Sequence, residues 1–107
     1  MEKFISGKAH IGKDVKIGLN VIIEDDVLVG DNCLIGHNVV IHEGSNIGSG
    51  VRIDDGTIVG KEPLFSPRSI FKKKKFDPAQ IGDDCLIGAN VVIYVAVSYT
   101  HLTLPTN

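Results

Sequence analysis

Isoleucine or valine occupies residues 5, 11, 17, 23, 29, 35, 41, 47, 53 and 59 without a miss, and the series resumes at 81, 87 and 93. A helix, with its period of about 3.6, cannot hold an aliphatic stripe at a spacing of six, and a plain strand would alternate within each hexad. Self-similarity at a fixed period points instead to a repeat architecture. The other hexad positions agree. Four residues after each aliphatic stands a small or β-branched side chain: Ala9, Val15, Val21, Val27, Cys33, Val39, Ser45, Val51, Thr57, then Cys85 and Val91. These fit a second inward-facing site at a tight corner. Three residues after the aliphatic stands Asp14, Asn20, Asp26, Asn32, Asn38, Gly44, Gly50 and Gly56, then Asp84 and Asn90, with Lys8 the lone exception. Gly, Asn and Asp best tolerate positive φ, so the pattern predicts a left-handed backbone turn every six residues. The chain reads as short strand, corner, short strand, corner. Its coils stack at roughly 4.8 Å, pair backbone groups from coil to coil, and bury the aliphatic column.

The hexads IGKDVK, IGLNVI, VGDNCL, IGHNVV, IGSGVR, IGDDCL and IGANVV resemble the repeat of the hexapeptide-repeat acyltransferase family. The resemblance covers residues 5 to 60 and 81 to about 95. It implies an all-β fold, a left-handed parallel β-helix in the form of a triangular prism, with three hexads and eighteen residues per coil and one protruding loop. Handedness rests on the resemblance alone, because the general rule for parallel crossovers favours the right hand. The resemblance also implies a homotrimer. The activity it implies is acyl transfer from acetyl-CoA, or a related thioester, to an amine or hydroxyl of a sugar or nucleotide sugar.

Composition narrows the class. The 107 residues suffice for one modest domain, and 43% hydrophobic content with a formal charge of -2 fits a globular chain. That charge argues against a nucleic-acid partner. No apolar stretch is long enough to span a bilayer, and MEKFISGKAH lacks the apolar core of a secretory signal, so a cytoplasmic location is expected. Cys33 and Cys85 match no metal-ligand spacing and fall in the small inward slot, where packing is the expected role.

Two segments interrupt the repeat. Residues 61–80, KEPLFSPRSIFKKKKFDPAQ, carry three prolines and no hexad signal. Excursions of this length are uncommon without a use, so a functional loop leaving one corner is expected. In the resembling family such loops reach a neighbouring subunit and help to wall the active site. Arg68, Lys72, Lys73, Lys74 and Lys75 are then candidates to meet phosphate groups of coenzyme A or a nucleotide-linked substrate, against the alternative of a solvated charge run. After Val95 the period stops. Residues 97–107, VSYTHLTLPTN, resemble the translation of a transposase-based sequencing adapter and are expected to be a non-native tail on a truncated β-helix domain of residues 1–96. The natural protein is then expected to be longer, and His101 is assigned no role.

The histidines leave three readings open. The unit IGHNVV is similar to the catalytic unit of several hexapeptide acyltransferases, which makes His37 the candidate general base, with Glu43 or Glu24 to orient the ring. An imidazole suits that work because it titrates near neutrality. GHNVVIH also resembles a segment of γ-class carbonic anhydrases, which would make His37 and His42 zinc ligands. A catalytic zinc needs three protein ligands, and the remaining candidate, His10, stands twenty-seven residues before His37 and so falls on another side of the prism. No metal is expected for the acyltransferase. In the third reading the histidines are ordinary surface residues of a structural module.

Overall fold

The computed structural model describes residues 3–62 and 77–95, together with the backbone of segments 98–99 and 103–104. Its strands wind into three parallel five-stranded sheets, the sides of a left-handed prism. Side A contains β1 (Phe4–Ile5), β4 (Ile22–Ile23), β7 (Val40–Ile41), β10 (Ile58–Lys61) and β13 (Val92–Tyr94). Side B contains β2 (His10–Ile11), β5 (Leu28–Val29), β8 (Asn46–Ile47), β11 (Gln80–Ile81) and β14 (Ser98–Tyr99). Side C contains β3 (Lys16–Ile17), β6 (Leu34–Ile35), β9 (Arg52–Ile53), β12 (Leu86–Ile87) and β15 (Thr103–Leu104).

Register follows the hexads. Ile5 pairs with Ile23, Ile23 with Ile41, and Ile41 with Val59, so each aliphatic lies over its equivalent one coil away. The column is the core: Ile23, Ile35, Ile41, Ile47, Ile53 and Ile93 are fully buried, as are Val21, Val27, Val39 and Val51 from the small slot.

The corners form where the sequence places them. Positive φ occurs at Asp14, Asn20, Asp26, Asn32, Asn38, Asp84 and Asn90, between 58° and 60°, and at Gly44, Gly50 and Gly56, between 71° and 78°. From Asn32 onward the corner N–H donates to the coil before it; that of Asn38, for instance, donates to the Leu19 carbonyl at 2.9 Å. Asn38 is exposed, so its side chain can be changed without touching the core. Asn38→Ala is expected to lower stability by about 1 kcal/mol, because a Cβ without a local polar partner makes the left-handed conformation costly, whereas Asn38→Gly stays within a few tenths. Urea unfolding of the two variants checks this.

The excursion is shorter than the loss of hexad signal suggests. Lys61 is still in β10 and Gln80 is already in β11, with Ala79 fully buried between the coil walls. Backbone pairing needs no particular side chain, so the strand continues past the repeat: the Val95 N–H donates to the Lys61 carbonyl at 3.0 Å, and the Asn46 N–H to the Ala79 carbonyl at 2.9 Å. β10 ends at Lys61, one residue past Gly60, whose φ is +84°. Ile58 pairs with Val92, a separation of 34 rather than 18 residues, so the excursion adds 16. Arg68, Lys72, Lys73, Lys74 and Lys75 lie outside the described residues. In the tail, Ser98 pairs with Gln80 and Thr103 with Leu86. An exposed sheet edge offers N–H and C=O groups to any non-prolyl segment, so this pairing does not depend on hexad chemistry.

Cys33 and Cys85 are free and buried. Burial pushes the Cys33 thiol above its ordinary value of 9.0, offset in part by backbone hydrogen bonds from Val51 and Gly50. A thiol whose folded value is raised stabilises the fold fully below the unfolded value, and that contribution is lost as pH rises through it. Folded protein is therefore expected to resist alkylation at neutral pH and to lose stability above about pH 9, a loss that Cys33→Ala reduces. Thiol-labelling rates and unfolding midpoints between pH 7 and 10 test both.

Candidate active site

The second position of each hexad decides how closely coils approach at a corner. After side B it holds Gly12, Gly30, Gly48 and Gly82, and after side C Gly18, Gly36, Asp54 and Gly88. A Cβ on Gly30 would lie 2.7 Å from the backbone of Gly48 and Ser49 in the next coil. The corner after side A differs. Its column is Ser6, Glu24, His42, Gly60 and Tyr94, so four of its five positions carry a side chain where the other corners keep glycine at all but Asp54. It is also the corner from which the excursion departs, and the register between β10 and β13 shifts there, between Val59 and Lys61.

At this corner Glu24 and His42, one coil apart, meet. Oε1 of Glu24 lies 3.1 Å from Nδ1 of His42 and also accepts the Glu43 N–H at 3.0 Å. Both side chains are partly exposed, at 41% and 35%. An ionised carboxylate can only accept, so the ring donates from Nδ1, and the neutral imidazole keeps its lone pair on Nε2. In the coil before, Ser6 donates from its hydroxyl to Asp25.

His37 has a different position. At the corners after sides B and C, the third hexad residue accepts the N–H of its equivalent one coil earlier: Asp31 from Lys13 at 2.8 Å, Ser49 from Asp31 at 3.1 Å, Asp55 from His37 at 2.7 Å and Asp83 from Ser49 at 2.9 Å. His37 occupies this slot and does the same, Nδ1 accepting the Leu19 N–H at 2.8 Å. Its neutral ring therefore carries the proton on Nε2. A base acting through Nε2 needs the other tautomer, which would set Nδ1–H against the Leu19 N–H. His37 borders an open groove of about 580 Å³ along side C, lined also by Lys16, Leu34, Arg52, Asp54 and Leu86.

Sequence reasoning places the base at His37 with Glu24 or Glu43 as orienter; in the structure Glu24 orients His42 instead. The signal was present, since Glu24 and His42 both replace glycine and stand one coil length apart. The three histidines of the zinc reading do not meet: His10 is on side B, His37 at the corner between sides C and A, and His42 at the corner between A and B. Among the described residues no three His, Cys, Asp or Glu side chains converge as a metal site.

A left-handed prism of hexad coils with three parallel sheets defines the class of hexapeptide-repeat proteins. Residues 8–43 match the bacterial transferase hexapeptide family (six repeats), and residues 26–61 and 78–98 match the hexapeptide repeat of succinyl-transferase. The chain belongs to the hexapeptide-repeat acyltransferase family. Among solved structures it is similar to LpxA, a UDP-N-acetylglucosamine acyltransferase from Bacteroides fragilis, with 36% identity, a TM-score of 0.77 and coverage of 87% of this chain and 35% of that one. It also shares the fold of a His-to-Ala variant of GDP-perosamine N-acetyl transferase from Caulobacter crescentus, in complex with CoA and GDP-perosamine, at 17% identity and a TM-score of 0.50, covering 92% of this chain and 51% of that one. The chain thus spans about a third of the length of the first of these. No curated protein matches it.

Proposed function

We propose that the chain is part of an enzyme that moves an acyl group from a thioester, acetyl-CoA or a related donor, to an amine or hydroxyl of a sugar or nucleotide sugar. The observation that supports this best is the 36% identity to the UDP-N-acetylglucosamine acyltransferase across 87% of the chain. In such a step the acceptor attacks the thioester carbonyl and the thiolate departs, so the protein must take a proton from the acceptor and return one to sulfur. His37, the base expected from sequence, has the tautomer of a donor, and its Nδ1 is committed to the corner. We therefore propose that the proton passes through another group.

Arg68 and Lys72, Lys73, Lys74 and Lys75 are proposed to meet the phosphates of the donor or acceptor, since a run of cations suits a doubly charged diphosphate. Assembly is proposed to be homotrimeric, and the outward column of side A, Phe4, Ile22, Val40, Ile58 and Val92, supports association because it carries no charge along its length. The cytoplasm is the setting these substrates imply. The test uses full-length protein with acetyl-CoA or a longer acyl thioester and UDP-N-acetylglucosamine. Thiol release that depends on the sugar nucleotide, from a particle of three copies by light scattering, is expected. No thiol release from any thioester tried overturns the activity.

A further inference from the structure

We infer that Glu24 and His42 are the pair that takes the proton from the acceptor, His42 as the catalytic residue and Glu24 as the residue that positions it. This rests on the acyl-transfer reading above. Three independent features converge on the pair. Both residues fill a hexad slot that the other two corners keep almost entirely as glycine, and they do so in consecutive coils. The carboxylate is itself held: Glu24 Oε1 accepts the Glu43 N–H at 3.0 Å while it faces Nδ1 of His42 at 3.1 Å. Finally, the next residue of the column is Gly60, at φ +84°, where a Cβ would lie 3.3 Å from that of His42. β10 ends one residue later, at Lys61, so the ring stands beside the end of the last strand before the excursion and keeps 35% of its side chain exposed.

The chemistry follows from the tautomer. With Nδ1–H donated to Glu24, the lone pair on Nε2 is free to accept a proton. As the acceptor's hydroxyl oxygen or amine nitrogen attacks the thioester carbon, a C–O or C–N bond forms and the acceptor's proton passes to Nε2. The tetrahedral oxyanion then collapses, the C–S bond breaks, and the departing sulfur takes the proton back from the imidazolium as thiol. Charge and protons balance with no further reactant. Glu24 holds the productive tautomer and stabilises the imidazolium between the two transfers, as a buried carboxylate does for the imidazole of a hydrolytic triad. In contrast, the His37 ring presents Nε2–H, which cannot accept.

Full-length protein, assayed by thiol release with acetyl-CoA or a longer acyl thioester and UDP-N-acetylglucosamine, tests the pair. His42→Ala is expected to lower kcat by about 10²–10⁴ with little change in KM for the sugar nucleotide, and added imidazole should restore part of the rate. Glu24→Gln is expected to lower kcat by roughly tenfold or more with KM again unchanged, and Glu24→Asp to recover part of it, which a purely structural carboxylate would not require. Circular dichroism confirms that each variant is folded. An active wild type matched by His42→Ala overturns the pair alone, and so does imidazole rescue of His37→Ala in place of His42→Ala. An inactive wild type overturns the acyl-transfer reading itself.

Discussion

Ile41→Ala lowers the unfolding free energy by about 2–5 kcal/mol, the expected result for an isoleucine cut back at the centre of a rigid column. Ile41 is fully buried and lies in register between Ile23 in the coil before and Val59 in the coil after. The cost has two parts: the lost burial of the removed carbons and the cavity that they leave. The second part is large here because the wall cannot close. The Ile22 and Glu24 N–H groups donate across to Val39 and Ile41 carbonyls at 2.9 and 3.0 Å, and those of Val40 and His42 to Thr57 and Val59 at 3.1 and 2.9 Å, so the coil is pinned on both sides. Ile41→Val should cost only about 0.5–1.5 kcal/mol. Ile5→Ala provides the control: Ile5 belongs to the first coil and is 37% exposed, so the same truncation should cost under about 1 kcal/mol. Urea unfolding of the three variants measures the gradient; equal losses at Ile5 and Ile41 would mean that the column is not the core.

Much of this fold was legible because the repeat states one physical rule many times. The aliphatic at every sixth residue fixes the inward side, and Asn, Asp or Gly three residues later fixes the bend, and the positive φ values at Asp14 through Gly56 follow that list position by position. Contacts between coils were harder to read. They join residues eighteen apart, so the partner of His42 emerges only once the chain is laid out in columns, where Glu24 falls directly beneath it. The role of His37 was hidden for a related reason. Aspartate, serine and histidine look unrelated along the sequence, yet Asp31, Ser49, Asp55 and His37 all accept an N–H from the coil before. Lys61 and Gln80, at the ends of the stretch without hexad signal, pair through their backbone, for which the hexad pattern has no letter.

Gly30→Ala should be as damaging as the loss of a core side chain, although it adds one methyl group to the surface of the prism. Gly30 lacks a positive φ, so conformational freedom is not what requires glycine there. Contact is what requires it. The new Cβ would stand 2.7 Å from the Gly48 carbonyl carbon, 2.7 Å from the Ser49 nitrogen and 2.5 Å from the Ser49 hydroxyl. A serine could turn away, but backbone cannot yield without separating the coils. Separation would stretch the Gly30 N–H bond to the Ile47 carbonyl, now 2.9 Å, and the Asp31 N–H bond to Ser49, now 3.1 Å. Overpacking of a rigid interior costs about 1–3 kcal/mol, and the added loss of two coil-to-coil hydrogen bonds places Gly30→Ala at roughly 3 kcal/mol or more. Gly7→Ala is the matched control, because a Cβ there would meet nothing within 4 Å and should change stability by less than about 0.5 kcal/mol. Thermal and urea unfolding distinguish the two. Comparable midpoints for Gly30→Ala and the parent would mean that the coil spacing at this corner is adjustable, and the glycine column that sets Glu24 and His42 apart would lose its physical basis.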